Sequence, residues 1–337
     1  GDHNLSKGMW YDYMTSYKNV PVANTEDHIV ANRDIDFSKE QHLFMARDIW
    51  QGVIHGVGIN DIWNWARTYN KLSDSWLSIL FRPDAIKYIS EANLDMNRLS
   101  YEIRAIQQES RDVGIIYSDV SNLVDERTAR STYEAYEAVQ YNGKRVKFIT
   151  QTLLENMMDC KVVIVPLMPY ATEETLVTLK KYIENGGRVV IMSDESLAKT
   201  ERNADMNAEL REFVYSNATV IPYEGTFNKM KSPSRSEFQE LLRNIFKEEG
   251  IYNVSVIDTE TGKPTTDVEF NTGVYNGDVV INLVNYGTDK KVKIMIGGTE
   301  VTECIEMRSM ENVKDAVELK QFVPVLVKFP GAEKLLK

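Results

Sequence analysis

The chain has 337 residues, of which 43% are hydrophobic and 26% charged, and its formal net charge at pH 7 is −11. This size and composition predict a soluble protein of two to three domains with ample core. The acidic balance and the absence of Lys/Arg clusters argue against nucleic acid and anionic membranes as partners, and no apolar run approaches the ~18 residues of a membrane span.

Two apolar runs that end in polar or aromatic residues flank a helical segment near the start of the chain. The first covers residues 20–30 and carries Glu26 near its end, and the second covers residues 56–65. Between them, residues 37–51 read as an amphipathic helix capped by Ser38. A strand, a helix and a second strand with functional side chains at the strand ends are typical of a (β/α) barrel, which presents catalytic groups at one rim.

Glu26 is the candidate for chemistry in this segment. A glutamate at the end of an apolar strand is costly to bury unless it is hydrogen-bonded or functional. Retaining glycosidases need such a carboxylate ~5 to 5.5 Å from a carboxylic acid. Trp63 and Trp65 lie two apart and so share a face of an extended strand, where indole rings can stack on the C–H surface of a sugar. A structural ion pair for Glu26 and core packing for the two indoles are the alternatives.

These residues carry a family resemblance. Residues 24–28 and 55–65 resemble the seventh and eighth barrel strands of clan-A glycoside hydrolases, most closely the family-42 β-galactosidases. The resemblance implies that Glu26 is the nucleophile of a retaining mechanism and that Trp65 forms the sugar platform. Further candidates for substrate binding are Trp63, His28, Asn60 and Asp61.

Two histidines near this site have alternative roles. His28 would orient Glu26 or bind a sugar hydroxyl, or it would be a satisfied histidine at the barrel rim. His55 lies at the start of the eighth strand, where packing or a hydrogen bond is the favoured role.

The resemblance also predicts that the chain is a part of a longer protein. A (β/α)₈ barrel needs roughly 200 residues or more, whereas only residues 1–81 precede the next predicted domain. The strand that carries the family's acid/base glutamate is not among them. Gly1-Asp2 lacks an initiator Met. We therefore expect the C-terminal part of an enzyme, catalytically incomplete by itself.

Residues 82–111 predict one long helix, which in the family links the barrel to the next domain. Residues 112–235 then alternate strand and helix signals, which predicts a doubly wound parallel sheet of flavodoxin-like or amidotransferase-like type. The clearest unit in this domain begins with Thr172 as a helix cap and stops at Gly186-Gly187. The predicted strands are residues 113–117, 145–149, 161–165, 188–192 and 219–222.

The residues present in this domain exclude amidotransferase chemistry. The turn that follows Met192 reads Ser193-Asp194-Glu195, and no histidine follows His55 to serve as a base. By resemblance the domain is the inactive, trimerisation version. Ser118-Asp119, at the end of the first strand, lacks a Gly-rich phosphate turn and is predicted to be a solvated loop.

Residues 236–337 predict a helix followed by a small antiparallel β-domain. Apolar residues alternate with a period of two around residues 279–283, 292–296 and 323–329, and the turn signals Asn276-Gly277 and Gly297-Gly298 lie between them.

The remaining inventory predicts neither a metal nor a cofactor. Cys160 and Cys304 are too few for a disulfide framework and are read as reduced, half-buried thiols. The four histidines form no close ligand pair. The compartment stays open between cytoplasm and periplasm.

The sequence thus predicts the C-terminal part of a retaining β-glycosidase that acts on a carbohydrate substrate and forms a homo-oligomer, a trimer by resemblance. The alternative is a non-catalytic oligomerisation or carbohydrate-binding protein that retains a barrel remnant.

Overall fold

The structure, a computed structural model, describes residues 5–18, 20–29, 39–63, 79, 82–229 and 231–336. The chain forms two compact units. The first unit combines residues 1–17 with 110–253, and the second combines residues 18–109 with 254–337. The predicted domains 1–81, 82–111, 112–235 and 236–337 follow the order of the chain, and that division stays a prediction.

The helices are α1 (Ser6–Tyr17), α2 (Lys39–Ile54), α3 (Pro83–Arg98), α4 (Ser100–Gln107), α5 (Asp119–Val124), α6 (Glu126–Gln140), α7 (Glu173–Glu184), α8 (Ala208–Ser216) and α9 (Arg235–Glu248), with 3-10 helices at Leu154–Asp159 and Ala332–Leu335. The strands are β1 (Val22–Asp27), β2 (Val57–Ile62), β3 (Val113–Tyr117), β4 (Val146–Thr150), β5 (Val162–Val165), β6 (Tyr170–Ala171), β7 (Arg188–Met192), β8 (Lys199–Thr200), β9 (Thr219–Ile221), β10 (Val254–Asp258), β11 (Val268–Tyr275), β12 (Asp278–Asn285), β13 (Lys290–Ile296), β14 (Thr299–Val301), β15 (Glu303–Glu306), β16 (Glu311–Lys314), β17 (Val317–Leu319) and β18 (Val325–Phe329). The fold is therefore mixed α/β. Within the described ranges, no helix has the length and apolarity needed to cross a membrane.

The first unit is built on a five-stranded parallel sheet in the order β4-β3-β5-β7-β9. This is the 2-1-3-4-5 order of flavodoxin-like doubly wound folds, and it confirms the predicted parallel sheet. As predicted, Thr172 caps α7 by accepting a hydrogen bond from the Thr175 amide at 3.1 Å. Gly186 ends the turn that follows with a φ of +87°.

The sequence did not indicate helix α1. Its buried face is largely polar, so apolar periodicity does not reveal it. Asp12 is fully buried and accepts a hydrogen bond from the Tyr136 hydroxyl at 2.8 Å. Ser16 Oγ accepts from the Phe148 amide on β4 at 2.9 Å. These long-range hydrogen bonds tie α1 to the parallel sheet of the first unit.

The prediction of a solvated loop at Ser118-Asp119 was wrong, because Asp119 begins α5 and Ser118 precedes it. This serine is buried and caps α5, accepting from the Ser121 amide. Its hydroxyl donates to the Tyr170 carbonyl at 2.8 Å, so the side chain is satisfied inside the protein. At the turn after β7, Ser193 is also buried and has a φ of +80°, a conformation that costs free energy in a non-glycine residue.

In the second unit, the long helix predicted over residues 82–111 is two helices, α3 and α4. The break lies at Leu99, whose backbone leaves the helical region at φ −103° and ψ 19°. The two helices contribute to different apolar clusters. Ile89 of α3 packs with Met45 and Ile49 of α2, whereas Leu99 and α4 pack with Trp50 and the β-domain strands. The break lets one apolar stripe serve both clusters.

The predicted antiparallel pairing of the C-terminal strands is confirmed. One sheet has the order β11-β12-β18-β15-β16, and the other pairs β13 with β10, β14 and β17. Asn276 and Gly277 both have positive φ, as a two-residue hairpin turn requires. At Gly273 on β11, a Cβ would lie 2.5 Å from the Ile106 backbone nitrogen. Only glycine at this position leaves room for the backbone of α4 to pack against the strand.

Buried hydrogen bonds fasten α2 to β12 of the β-domain. The Trp50 indole nitrogen donates to Asn282 Oδ1 at 2.7 Å, and Asn282 Nδ2 donates to Gln51 Oε1 at 2.8 Å. Trp50 is 1% exposed and Asn282 is fully buried, so water cannot replace either partner.

Trp50→Phe should therefore lower the free energy of unfolding by about 1–3 kcal/mol, because the Asn282 oxygen loses its donor in a buried site. Urea denaturation followed by circular dichroism measures the change. Trp63→Phe is the matched control, since that indole is half-exposed and its replacement should cost less than about 0.5 kcal/mol. Equal losses for the two variants would contradict the assignment.

Both cysteines are free, as predicted, but they are buried and not half-buried. Burial raises the pKa of the Cys160 thiol to about 12 and that of Cys304 to about 11. Because the thiolate is the reactive form, neither side chain is suited to nucleophilic chemistry at neutral pH.

A chromogenic disulfide reagent should accordingly label neither cysteine of the native chain at pH 8, and it should label both in 6 M guanidinium chloride. Rapid stoichiometric labelling of the native chain would show that at least one thiol has a much lower pKa or greater access than the structure gives it.

Candidate active site

The candidate site lies at the carboxyl end of two parallel strands in the second unit. β1 and β2 pair in parallel, with Asn24 opposite Asn60 and Asp27 opposite Ile62, and α2 connects them. The Trp63 amide donates to the Asp27 carbonyl at 3.0 Å, which extends the pairing one residue past β2. The side chains that follow both strands therefore come together at one edge.

Glu26, His28 and Trp63 form a contiguous surface at this edge. His28 Nε2 lies 3.0 Å from Glu26 Oε1, and the His28 and Trp63 rings are nearly parallel, with centroids 6.2 Å apart and an interplanar angle of 22°. The Glu26 side chain is 61% exposed. A carboxylate open to solvent, held by a histidine and flanked by an indole, is accessible to a ligand that approaches the strand ends.

Asp27 points away from this surface, as strand alternation requires. It is 3% exposed, and its Oδ2 accepts a hydrogen bond from Asn60 Nδ2 at 3.0 Å. Asn60, a candidate for sugar binding, is therefore engaged in cross-linking β2 to β1. The Glu26 amide in turn donates to Asn24 Oδ1 at 3.2 Å, which fixes the backbone of the candidate nucleophile.

Asp61 is exposed on β2, and Trp65 lies outside the described residues. His55 is buried, with Nε2 2.7 Å from Glu269 Oε1, so its predicted hydrogen-bonding role is confirmed.

Sequence reasoning missed two residues, Glu269 and Tyr286, that form a buried hydrogen-bonded group with His55. Glu269 is 1% exposed near the start of β11, and its second oxygen accepts from the Tyr286 hydroxyl at 2.8 Å. The signal was present in the run Val268-Glu269-Phe270, where a carboxylate interrupts an apolar strand. A buried carboxylate of this kind requires a partner, but the sequence does not say which one.

In the part of the chain that the structure describes, no group of three His, Cys, Asp or Glu side chains is arranged to hold a metal ion. The polar groups at the strand ends are a carboxylate, an imidazole and an indole nitrogen, and these can attack, orient or hydrogen-bond a neutral ligand directly.

Comparison with solved structures identifies the fold. An exo-carrageenase GH42 from Bacteroides ovatus superposes with a TM-score of 0.79 over 96% of this chain and 44% of that chain, at 20% sequence identity. The chain shares its fold with GH42 enzymes. Two β-galactosidases, from Rahnella sp. R3 and from Bacillus circulans sp. alkalophilus, match with TM-scores of 0.70 and 0.66 at 13% identity, over 97% and 98% of this chain.

The GH42-like fold is found by structure and not by sequence. No protein-family model matches the chain, and no curated protein matches it in sequence. The chain covers 58% of each of these two β-galactosidases, so it spans about half the length of the GH42 structures it matches.

The Asp27–Asn60 hydrogen bond predicts that Asp27 contributes more to stability than Asp61, which lies on the adjacent strand β2. Asp27→Ala should lower the free energy of unfolding by about 1–3 kcal/mol, because the Asn60 amide loses a buried acceptor. Asp61→Ala, at an exposed position of β2, should change it by less than about 0.5 kcal/mol. Thermal unfolding of both variants tests the pair, and a larger loss for Asp61→Ala would contradict it.

Proposed function

We propose that the chain is the C-terminal part of a retaining β-glycosidase, β-galactosidase-like in specificity, with Glu26 as the nucleophile. The observation that carries the proposal is the position of Glu26, an exposed carboxylate at the carboxyl end of β1, beside His28 and Trp63. The shared fold with GH42 structures supports it. On this proposal β1, α2 and β2 are the last part of a (β/α)₈ barrel.

The chemistry follows from the exposed carboxylate. Glu26 attacks the anomeric carbon of the bound sugar while an acid protonates the departing oxygen, and a covalent glycosyl-enzyme intermediate forms. Water then hydrolyses the intermediate, and the acid residue acts as the base. The acid/base residue belongs to the part of the barrel outside this chain.

Two neighbours of Glu26 have distinct roles in the proposal. The His28 imidazole, 3.0 Å from the carboxylate, holds it in position for attack. The half-exposed Trp63 indole offers an apolar face to the pyranose ring. Trp65 stays a proposed sugar platform by resemblance, and Asn60 and Asp61 stay proposed hydroxyl partners.

The amidotransferase-like parallel domain is proposed to mediate homo-oligomerisation, as a trimer. Analytical ultracentrifugation of the chain measures the state directly. This part of the proposal is independent of Glu26.

Glu26→Gln should abolish hydrolysis of a 2,4-dinitrophenyl β-galactoside, with a loss on the order of 10³-fold or more. The activated leaving group needs little acid assistance, so the assay reports the nucleophile even if the acid residue is missing. Glu91→Gln, which replaces an exposed glutamate of α3 in the same unit, is the matched control and should retain full activity. Carrageenan oligosaccharides belong in the substrate panel, because one GH42 structure of this fold is an exo-carrageenase.

Chemical rescue separates a nucleophile from a structural glutamate. In Glu26→Ala, added azide should restore turnover and yield the α-glycosyl azide, because the small anion attacks the face that the carboxylate normally occupies. Activity that persists in Glu26→Gln would refute the assignment. No activity in the wild-type chain, even after the upstream barrel sequence is supplied, would favour the non-catalytic oligomerisation or carbohydrate-binding protein.

A further inference from the structure

Three asparagines of this chain are each followed by a glycine, namely Asn142, Asn185 and Asn276. The backbone nitrogen of such a glycine can attack the side-chain amide of the asparagine, because glycine has no Cβ to obstruct the approach. The attack requires an asparagine side chain that is free to rotate and a glycine N–H that is not held in a hydrogen bond. The fold gives the three sites different surroundings in both respects.

Asn142 is held inside the first unit. It is 1% exposed, and its Nδ2 donates to the Ala138 carbonyl at 2.9 Å and to the Gln239 carbonyl at 3.1 Å. The amide of Gly143 donates to the Gln140 carbonyl at 2.9 Å. Both reacting groups are engaged, so the attack needs the surrounding structure to open, and opening costs free energy.

At Asn185, the side chain is accessible but the glycine nitrogen is engaged. Asn185 is exposed and caps the C-terminus of α7. The Gly186 amide donates to the Ile183 carbonyl at 2.8 Å, within the turn that ends the helix. The nucleophile is therefore held in place.

Asn276 combines an exposed side chain with an unengaged glycine nitrogen. Asn276 and Gly277 form the two-residue tip of the hairpin between β11 and β12, whose last pair is Tyr275 opposite Asp278. Within the described part of the chain, neither the Asn276 side chain nor the Gly277 amide makes a hydrogen bond to a protein group. Exposed turns of this kind open locally at little cost in free energy.

We propose that Asn276 is a site of spontaneous deamidation, which converts it into aspartate and isoaspartate without an enzyme. The Gly277 nitrogen bonds to Asn276 Cγ, the Cγ–Nδ2 bond breaks, and the Nδ2 amide group leaves as ammonia with the proton from the Gly277 N–H. A water molecule then opens the cyclic imide. Opening at the side-chain carbonyl gives aspartate, and opening at the backbone carbonyl gives isoaspartate, whose main chain is longer by one carbon. This site does not depend on the role of Glu26.

The modification alters the contact between the hairpin tip and the 3-10 helix Ala332–Leu335. The Gly277 carbonyl accepts from the Glu333 amide at 3.2 Å, and a Cβ at Gly277 would lie 3.9 Å from Glu333 Oε2. A new carboxylate at residue 276 repels the Glu333 carboxylate. The extra main-chain carbon of isoaspartate also moves the Gly277 carbonyl, so the modified tip binds the 3-10 helix less well.

Peptide mass spectrometry of the folded full chain, incubated for several weeks in mildly alkaline buffer, tests the proposal. Residue 276 should change from amide to acid at least about tenfold faster than residues 142 and 185, because only its two reacting groups are both free. A protein isoaspartate methyltransferase should add methyl groups to the peptide that contains residue 276, which identifies the isoaspartate product.

Two controls separate the effect of the fold from that of the sequence. In 6 M guanidinium chloride the three Asn-Gly pairs should react at similar rates, since only local chemistry remains. Asn276→Gln in the folded chain should stop the reaction at residue 276, because the longer side chain has to close a six-membered ring. It should leave the rates at residues 142 and 185 unchanged.

Either of two results would overturn the proposal. The first is a folded chain in which Asn276 stays intact under conditions where the unfolded chain reacts there, which would show that the hairpin protects it. The second is a folded chain in which residue 142 or 185 reacts as fast as residue 276.

Discussion

The candidate active site depends on a buried polar contact between His55 and Glu269. His55 and Glu269 are 2% and 1% exposed and lie 2.7 Å apart, and the Tyr286 hydroxyl donates to the other Glu269 oxygen. Removing such groups from water costs several kcal/mol unless each finds its partner. The contact therefore fixes His55, which directly follows α2, against β11. Since β2 begins two residues after His55, the contact also limits where Trp63 lies beyond the end of β2.

A second buried hydrogen bond, from Trp50 to Asn282, holds the C-terminal part of α2 against β12. The apolar side of α2 packs on α3. Helix α2 connects the two strands of the candidate site, so its position is fixed on both sides. Neither strand carries a complete site. Glu26 comes from β1 and Trp63 from β2, so their separation is set by the fixed helix and the parallel register.

The local sequence pattern was sufficient to predict the strands and turns that are stabilised by apolar side chains or by turn residues of their own. All five strands of the parallel sheet were predicted to within about one residue, because each is a β-branched run between turn signals. The period of two indicated that at most one of Asp27 and His28 shares a face with Glu26, and in the structure that residue is His28. The hairpin at Asn276-Gly277 could also be predicted, because the Asn-Gly pair is itself a local turn signal.

The features that sequence reasoning missed depend on partners far away in the chain. Helix α1 buries Asp12 and Ser16, which are satisfied by residues more than a hundred positions later, so its own pattern resembles an exposed segment. Ser118 becomes interior through the Tyr170 carbonyl. The break at Leu99 arises because one apolar stripe meets two separate clusters. In each case a single sequence shows the residue, but it does not show which distant residue it contacts.

The order of the segments has a consequence for synthesis on the ribosome. The second unit is divided by residues 110–253, which belong to the first unit together with α1. The first unit is complete once residue 253 has emerged, but His55 and Trp50 must wait for Glu269 and Asn282, which are more than two hundred positions away. Prior folding of the intervening segment shortens the effective loop that has to close, and so lowers its entropic cost. Residues 18–109 are thus the part of the nascent chain most exposed to chaperones, and their maturation follows that of the parallel sheet.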